Sequence, residues 1–265
     1  MNEEKWLIVG TDSRMKVLAK NLSDGNRTVF YKNLSVWDEE LNKTVLEFHP
    51  HFVVLPIHPL PIEVPIVYGL SRAVIFAGKL NDQWKELLQQ NEVHYYLEDE
   101  AFIWHNASLT AEAFVSTFYN TKRAIRGKKF IVTGFGRVAK MVAHILRSMG
   151  AHVCVAVRSN IQLNEAKALR YEAVYLEEVG DIKGDFFINT IPAKWLDEQF
   201  NDKISIPIFD LASYPGCLQD GISRKQYELL PALPGKFFPE DAGNVLYESI
   251  VEQLRRRDPC SKEKE

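Results

Sequence analysis

Short apolar runs alternate with amphipathic stretches along most of the chain, and the pattern is clearest in its second half. Residues 129–133 form an apolar, β-branched run of the kind found in strands buried on both faces. Beyond a short turn, apolar side chains recur at helical spacing, and Gly150 follows where a helix stop is expected. The helical stripe consists of Val138, Met141, Val142, Ile145, Leu146 and Met149. This segment is therefore predicted to form a strand, a tight turn and a helix.

The remaining pattern predicts two α/β blocks. Further strands are predicted at residues 6–9, 28–31, 52–57, 73–76, 93–96, 153–157, 186–189, 207–211 and 227–230, with helices at 14–22 and 83–90. Strands that alternate with helices indicate parallel, doubly wound sheets. The first block has only Gly10 after its first strand. It is therefore predicted to be a substrate or lid domain rather than a second dinucleotide domain.

Two further helices are predicted to connect and close the blocks. Residues 110–126 contain no proline or glycine and begin with Thr110-Ala-Glu-Ala, which we interpret as a capping pattern. We expect this helix to cross between the domains, and a C-terminal helix to pack back on the first domain. The predicted organisation is a first domain over residues 1–109, an interdomain helix over 110–126, a dinucleotide-binding domain over 127–240 and a closing helix over 241–257.

The composition narrows the class of protein without identifying it. The 265 residues are 46% hydrophobic and 25% charged, as in a globular chain of one or two domains. The net charge of −3 predicts binding to neither nucleic acid nor an anionic membrane surface, and no apolar run reaches the roughly 18 residues of a membrane span. Three scattered cysteines, Cys154, Cys217 and Cys260, fit a reduced cytoplasmic chain, and no Cys/His spacing indicates a metal site.

The turn after residues 129–133 carries the most specific motif of the chain. Gly134-Phe-Gly136-Arg-Val-Ala139 fits the G-x-G-x-x-[G/A] pattern, and its position between a strand and an amphipathic helix is typical of a Rossmann phosphate turn. Gly134 allows the sharp turn, Gly136 allows the backbone to approach a pyrophosphate, and the small third residue allows close helix packing. The N–H groups of Gly136, Arg137 and Val138 are expected to face the ligand. The alternative is a glycine turn that binds nothing.

The end of the next predicted strand indicates which dinucleotide is bound. A carboxylate roughly twenty residues beyond the turn would bind the ribose 2′-hydroxyl of NAD. This chain has Arg158-Ser159-Asn160 there instead. The guanidinium of Arg158 suits a 2′-phosphate, and Ser159 adds a small donor beside it. The pattern therefore favours NADP, although a solvated arginine in a protein that uses NAD is the alternative.

The residues that follow two later strands are predicted to complete the site. Ligands of open α/β sheets lie beyond the carboxyl ends of the strands. Thr190, Ile191 and Pro192 are expected to border the dinucleotide. Asp210 and Ala212 are expected to lie nearer the nicotinamide, followed by Ser213.

The first domain and the predicted interdomain helix supply the other candidates for substrate binding. Arg14 is the preferred candidate there, and Glu112 is the candidate general base. The further candidates are Asp12, Ser13, Asn106, Ser108 and Thr110. Each has a structural alternative, since Asp12 can cap its helix, Arg14 can be solvated and the pair Thr110 and Glu112 can serve only as a cap.

Taken together, these motifs resemble the A-subunit family of dipicolinate synthase, and the resemblance runs in order over nearly the whole chain. The motifs are Gly10-x-Asp12-x-Arg14, Asn106-Ala-Ser-Leu-Thr-Ala-Glu112, Gly134-x-Gly136-Arg137, Ala156-Val-Arg-Ser159, Asn189-Thr-Ile-Pro192, Asp210-Leu-Ala-Ser213, Pro231-Ala-Leu-Pro-Gly235 and Ala242-Gly243. The resemblance implies an α/β protein with two doubly wound domains, a flavodoxin-like N-terminal domain and a C-terminal Rossmann NAD(P)-binding domain.

The resemblance also implies a function. Proteins of this family work with a flavoprotein, the B component of the synthase, to make dipicolinate in the mother cell of sporulating bacteria. The substrate would be a dihydro- or hydroxy-tetrahydrodipicolinate from the lysine pathway, oxidised with NADP. Arg14 would then bind a substrate carboxylate, Ser213 would orient the ring, and water or Glu112 would accept a proton. The resemblance is also compatible with a homo-oligomer.

Two other functions stay open on the sequence alone. The chain could be a non-catalytic NADP-binding scaffold for a flavoprotein, since the glycine turn and Arg158 argue only for binding. It could also be a diverged two-domain reductase of another small dicarboxylate. A 2-hydroxy-acid dehydrogenase with a histidine acid/base is disfavoured, because the only histidines after residue 130 are His144 and His152, at the predicted helix and adjoining strand start.

Overall fold

The structure is a computed structural model, and it describes residues 4–25, 27–65 and 68–257. Cys260 and most of the polar tail that begins at Arg257 lie outside the described residues. The chain divides into two compact units. One comprises the described residues up to Asn106 together with those from Phe238 onward, and the other runs from Ala107 to Phe237.

The first unit is built on a parallel sheet of five strands. Its elements are β1 (Lys5–Val9), α1 (Ser13–Asp24), β2 (Thr28–Lys32), α2 (Glu39–Phe48), β3 (Phe52–Val54), β4 (Val74–Ala77), α3 (Asp82–Leu87) and β5 (Val93–Tyr95). The strand order β2-β1-β3-β4-β5 is the flavodoxin-like order. Helix α2 was not predicted from the sequence.

The interior strand β1 is buried on both faces, so its side chains divide between two cores. Trp6 and Ile8 face one core, where the Trp6 ring stacks on Phe52 with centroids 4.3 Å apart. Leu7 and Val9 face the opposite core. The alternation of the two faces along the apolar residues 6–9 is what a parallel sheet covered on both sides requires.

A long helix, α4 (Glu100–Tyr119), follows, and its limits differ from the prediction of residues 110–126. It begins at Glu100 because the side chain of Asp99 accepts a hydrogen bond from the Ala101 N–H, 3.0 Å away. Thr110 is therefore a buried interior residue and not a cap. The helix ends at Tyr119 in short i to i+3 turns. The lack of proline and glycine was not sufficient to extend it to residue 126.

The second unit is built on a parallel sheet of six strands. Its elements are β6 (Lys129–Thr133), α5 (Arg137–Ser148), β7 (His152–Val157), α6 (Asn160–Ala168), β8 (Glu172–Tyr175), β9 (Phe186–Asn189), α7 (Glu198–Lys203), β10 (Ile208–Asp210), β11 (Tyr227–Leu229) and α8 (Leu233–Phe237). The strand order β11-β10-β9-β6-β7-β8 is that of a Rossmann fold. The predicted fold class, two doubly wound α/β domains, is confirmed. Neither α6 nor β8 was predicted from the sequence.

An aromatic cluster forms one core of the second unit. Phe118 from the C-terminal part of α4 packs edge-on against Phe186 of β9, with ring centroids 4.8 Å apart. Phe130 of β6 stacks on Phe186 at 5.2 Å. Such pairs contribute roughly 0.5–1.5 kcal/mol each beyond the area that they bury. The end of α4 is thereby attached to the sheet that carries the glycine turn.

The last helix, α9 (Pro239–Arg257), packs on α1 within the first unit. The two helices approach closely at Gly243, where an added Cβ would lie 2.5 Å from Cβ of Val17. Asn21 donates a hydrogen bond to Asn244 across the same interface at 2.8 Å. In the described part of the chain, no helix combines the length and apolarity needed to cross a bilayer.

Candidate functional site

The glycine turn lies at the carboxyl end of β6, the central strand of the second sheet. Gly134 has a φ of +85°, a conformation that side chains disfavour, and its N–H donates to the Ala156 carbonyl at 2.8 Å. A Cβ at this position would lie 2.9 Å from Oγ1 of Thr190 and 3.3 Å from Cγ1 of Ile191. The turn therefore needs glycine both for its backbone and for the loop after β9 that packs on it.

Gly136 has a different reason to be glycine. It is the N-cap of α5, with an ordinary φ of −77°, and an added Cβ would meet no protein atom within 4 Å. The protein itself does not exclude a side chain there, so the space above Gly136 is open to a ligand. Gly136 has no side chain to cap the helix. The N-terminus of α5, with the N–H groups of Arg137 and Val138, is therefore suited to bind a phosphate.

Arg158 and Ser159 lie beyond β7, where the adenosine ribose of a dinucleotide would bind. Arg158 is exposed, and among the described residues its guanidinium has no hydrogen-bond or ion-pair partner. Ser159 caps α6, because its Oγ accepts a hydrogen bond from the Ile161 N–H at 3.2 Å. A serine hydroxyl that accepts one bond can still donate another. The arrangement leaves a free cation beside a hydroxyl donor.

A buried polar network joins the ends of β6, β9 and β10. Thr133 donates from Oγ1 to Oδ1 of Asn189 at 2.8 Å, and Trp195 donates from Nε1 to the same oxygen at 3.1 Å. Asn189 in turn donates from Nδ2 to Oδ1 of Asp210 at 2.7 Å. Thr133, Asn189 and Asp210 are fully buried. The network holds the ends of these strands in one fixed arrangement.

Asp210 is fully buried, and donors of the protein surround its carboxylate. Its Oδ1 also accepts the N–H of Ala212 at 3.0 Å, and its Oδ2 accepts the N–H of Cys217 and the hydroxyl of Tyr227, each at 2.7 Å. The Asp210 carboxylate thus holds the strand ends and the loop after β10 in place, and its contact with a dinucleotide stays a prediction. Contact of Ala212 with the cofactor likewise stays a prediction, and its side chain is buried while its N–H donates to Asp210.

The groups that bond to Asp210 stay protonated. Burial raises the pKa of the Tyr227 hydroxyl, and the hydrogen bond to Asp210 raises it further. Burial and the nearby Asp210 also raise the pKa of the Cys217 thiol. Tyr227 is thus a permanent donor to the carboxylate, and Cys217 is an unreactive core thiol.

The network fixes the loop over residues 211–217, which carries the predicted Ser213. Ser213 is half-buried, and the Gly216 N–H donates to its carbonyl at 3.1 Å. The next residue, Tyr214, is 82% exposed. Gly216 has a φ of +82°, and a Cβ there would lie 2.5 Å from Oη of Tyr227. The loop is therefore attached tightly at its base while Ser213 and Tyr214 remain at the surface.

The other loop residues predicted to border the cofactor lie beside the glycine turn. Thr190 donates from Oγ1 to the Thr133 carbonyl at 2.7 Å, so its hydroxyl hydrogen is committed to the protein. Ile191 is half-buried and Pro192 is exposed. The structure thus brings Thr190 and Ile191 against Gly134, as the Cβ distances above require.

Arg14, the predicted partner for a substrate carboxylate, is bound by two polar side chains of the first unit. Its side chain is only 5% exposed. Its Nε and Nη2 donate to the two carboxylate oxygens of Asp12, at 3.0 and 2.5 Å, and its Nη1 donates to Oδ1 of Asn106 at 3.1 Å. Burial alone would raise the pKa of Asp12, but the hydrogen bonds and charge of Arg14 outweigh it and lower the pKa. The structural alternative of a solvated Arg14 is therefore excluded, and its role as a partner for a substrate carboxylate stays a prediction.

Glu112 lies on α4 and is exposed. Among the described residues it forms no hydrogen bond or ion pair. Nothing in the structure orients its carboxylate, so its role as a general base stays a prediction.

Several residues that shape these sites were missed from the sequence. Tyr227 and Trp195 complete the buried network, but neither lies in a recognisable motif. Two basic residues of the first unit, His58 and Lys79, were also passed over. The signal was available for these two, since His58 comes directly after the predicted strand 52–57, Lys79 comes three residues after the predicted strand 73–76, and ligands bind at the carboxyl ends of parallel strands.

Comparison with known proteins finds similarity to a dinucleotide-binding domain and to two curated proteins. Residues 100–200 match the model of the NAD-binding domain of D-isomer specific 2-hydroxyacid dehydrogenases. The A subunit of dipicolinate synthase from Bacillus subtilis (strain 168) is 28% identical over 188 residues, which cover 66% of this chain and 63% of that protein. The NADP(+)-dependent shikimate dehydrogenase of Clostridium beijerinckii is 29% identical over 163 residues, 61% of this chain and 56% of that protein. The matched part thus spans less than two thirds of these curated relatives.

Solved structures extend the similarity to the whole fold. The A chain of dipicolinate synthase from Bacillus subtilis superposes with a TM-score of 0.76 at 21% identity, covering 97% of both chains. The A subunit of the synthase from Bacillus halodurans gives a TM-score of 0.75 at 21% identity, covering 95% of this chain and 97% of that one. The chain resembles the A subunit of dipicolinate synthase.

The resemblance predicted from the motifs is thus confirmed in sequence and in fold. The structural likeness alone establishes only the fold, because the identities are low. The dehydrogenase domain match and the two curated relatives support the prediction of an NAD(P)-dependent oxidoreductase with a nicotinamide cofactor. They do not distinguish NADP from NAD.

Proposed function

We propose that the chain is the NADP-dependent A subunit of a dipicolinate synthase, which oxidises a dihydro- or hydroxy-tetrahydrodipicolinate to dipicolinate. The observation that carries the proposal is the Rossmann turn at Gly134 and Gly136 together with the exposed, unpartnered Arg158 at the end of β7, among the residues that the structure describes. An arginine at this point suits the extra phosphate of NADP, whereas a carboxylate would suit NAD.

The residues present fit the cofactor. The open space over Gly136 and the uncapped start of α5 suit a pyrophosphate. Arg158 and the hydroxyl of Ser159 suit a 2′-phosphate. Ile191 and Pro192 provide apolar surface beside the turn, and the loop over residues 211–217 is a rigid platform for the nicotinamide side.

The chemistry is a two-electron oxidation of a ring that carries two carboxylates. The glycine turn and Arg158 would hold NADP, which would supply the acceptor for a hydride from the ring carbon. The ring also loses a proton, and a hydroxy-tetrahydro substrate loses water as well, so that the product is the aromatic pyridine dicarboxylate. Ser213 is proposed to orient the ring, and water or Glu112 is proposed to accept the proton. Aromatisation itself favours the products.

A partner protein belongs to the proposal, because the similar proteins of known structure are components of dipicolinate synthase. We propose that the flavoprotein component of the synthase works with this chain in the cytoplasm of a sporulating cell.

One observation favours a second candidate, a non-catalytic NADP-binding scaffold for the flavoprotein. Among the described residues, Glu112 has no partner to orient it, and Arg14 is committed to Asp12 and Asn106. Neither Arg14 nor Glu112 is thus held ready for chemistry.

An assay with this chain and the flavoprotein, each purified, separates the candidates. Each protein alone and their mixture would be supplied with dihydrodipicolinate and NADP, and dipicolinate would be measured by its ultraviolet absorbance. We expect product only when this chain is present, together with an equal amount of NADPH. Product from the flavoprotein alone, unchanged by this chain, would favour the scaffold.

A further inference from the structure

The loops after β1, β3 and β4 meet at the carboxyl edge of the first sheet. The strand order reverses between β1 and β3, and crevices at such reversal points are where open α/β sheets bind ligands. An added Cβ on Gly10 would lie 3.1 Å from Cβ of Pro56, and the Lys79 N–H donates to the Ile57 carbonyl at 2.8 Å. The backbone thus places residues 10–14, 56–58 and 78–79 side by side.

This edge carries more positive than negative charge. Arg14 is neutralised by Asp12 in the buried pair described above. His58 and Lys79 are both exposed, and among the described residues neither side chain has a hydrogen-bond or ion-pair partner. The edge therefore presents the unbalanced positive charge of Lys79 beside an imidazole that can take up a proton. Unmatched charges of one sign at a ligand-binding edge attract a ligand of the opposite sign.

The electrostatics of His58 reflect the same imbalance. Burial lowers the pKa of His58, and the positive charges of Lys79 and Arg14 lower it further, against the opposing charge of Asp12. An anion bound beside these groups would reverse the repulsion and raise the pKa of His58. The imidazole would then take up a proton on binding.

The N-terminus of α1 lies at this edge but is already occupied. Asp12 caps the helix by accepting the Arg14 N–H at 3.0 Å. An internal carboxylate therefore takes the place that the phosphate of a nucleotide would need. What remains for a ligand is the pair of basic side chains, which suits the carboxylates of a small molecule rather than a nucleotide.

We propose that Lys79 and His58 bind the carboxylates of a small dicarboxylate, with Arg14 held behind them by Asp12 as a fixed positive charge. This inference deepens the proposed function and rests on it for the identity of the ligand, a pyridine or dihydropyridine dicarboxylate. It moves the substrate-binding role from Arg14, which is sequestered, to two residues in the neighbouring loops.

Direct binding to the full-length chain tests the proposal without requiring turnover. Pyridine-2,6-dicarboxylate would be titrated by calorimetry into the wild type, Lys79→Gln and His58→Gln, in the presence of saturating NADPH. Lys43→Gln is the matched control, because Lys43 lies in the middle of α2 with its side chain 75% exposed. NADPH affinity and the melting temperature of each variant report whether it is folded. Unsubstituted pyridine controls for binding that does not depend on carboxylates.

We expect Lys79→Gln to weaken dicarboxylate binding at least tenfold, His58→Gln to weaken it less at neutral pH, and Lys43→Gln to leave it unchanged, with NADPH affinity unaltered throughout. Equal dicarboxylate affinity in all four proteins would overturn the proposal. So would a wild type that binds pyridine as well as the dicarboxylate, or that binds neither.

A pH series isolates the contribution of His58. Because the protonated imidazole binds an anion better, wild-type affinity should fall as pH rises between about pH 5 and pH 8, and His58→Gln should lose this slope. The charged groups that face His58 are Asp12, Arg14 and Lys79, and His58→Gln retains all three. A slope that persists in His58→Gln would contradict the assignment of His58.

The outcomes separate this inference from the proposed function. Lys79-dependent binding of the dicarboxylate without NADP reduction in the assay with the flavoprotein would preserve the site and reject the oxidation. NADP-dependent turnover with unchanged substrate KM in Lys79→Gln and His58→Gln would preserve the oxidation and reject the site.

Discussion

Replacing Arg158 with alanine should remove the preference for NADPH over NADH while leaving the fold intact. Arg158 is exposed after β7 and has no partner among the described residues. Surface substitutions away from caps and cores change the free energy of unfolding by less than about 0.5 kcal/mol. The melting temperature should therefore stay within about a few degrees of the wild type.

The effect on binding should be much larger. Hydrogen bonds to charged groups contribute about 1.5–3 kcal/mol, which corresponds to roughly 10- to 150-fold in the dissociation constant. We expect the lower part of this range at physiological ionic strength, because salt screens an exposed pair of charges. The loss should apply to NADPH and leave NADH nearly unchanged, since only NADPH carries the 2′-phosphate.

Fluorescence titrations with NADPH and NADH at two ionic strengths measure this prediction. Lys167→Ala is a suitable control, because Lys167 is an exposed cation in the last turn of α6 in the same unit. The NADPH to NADH affinity ratio of the wild type should shrink as salt increases, and that of Arg158→Ala should be close to one at both. Equal losses of NADPH and NADH affinity in Arg158→Ala would refute the assignment of the 2′-phosphate to this residue.

Three further predictions concern stability and follow from the buried groups. Gly134→Ala should lower the free energy of unfolding by about 1–2 kcal/mol, because the φ of +85° at this position disfavours a side chain. The substitution should also weaken NADPH binding. A denaturation curve that matches the wild type would contradict the predicted loss of stability. Tyr227→Phe should cost about 1–3 kcal/mol, because it leaves the buried carboxylate of Asp210 one donor short, and chemical denaturation measures it. Asp12→Asn should make the free energy of unfolding less dependent on acidic pH. The lowered pKa of Asp12 stabilises the folded protein above the unfolded pKa of this group, and this stabilisation is lost as the pH falls through the folded pKa. The melting temperatures of the wild type and the variant should therefore converge at acidic pH.

Much of the second unit could be predicted from sequence because its signals are local. The strand, the glycine turn and the first turns of α5 lie within a few residues of one another, and the conformation of Gly134 follows from steric limits on its own backbone. The position of Arg158 at the end of β7 is likewise a matter of counting from the turn. By contrast, α2 and α6 were missed because their apolar faces are short, and α4 was misplaced because its start depends on the cap at Asp99 rather than on composition.

Residue type and spacing along the chain therefore determined the fold class, the two-sheet organisation and the place of the glycine turn. Only the tertiary structure decided which polar groups meet. Arg14 and Asn106 are 92 positions apart in sequence, and their hydrogen bond withdraws Arg14 from solvent. Asp210 accepts hydrogen bonds from β9, from the loop after β10 and from β11. A backbone hydrogen bond joins residues 57 and 79 at the carboxyl edge of the first sheet. These encounters depend on the pairing of parallel strands across long crossover connections, and no local pattern encodes them.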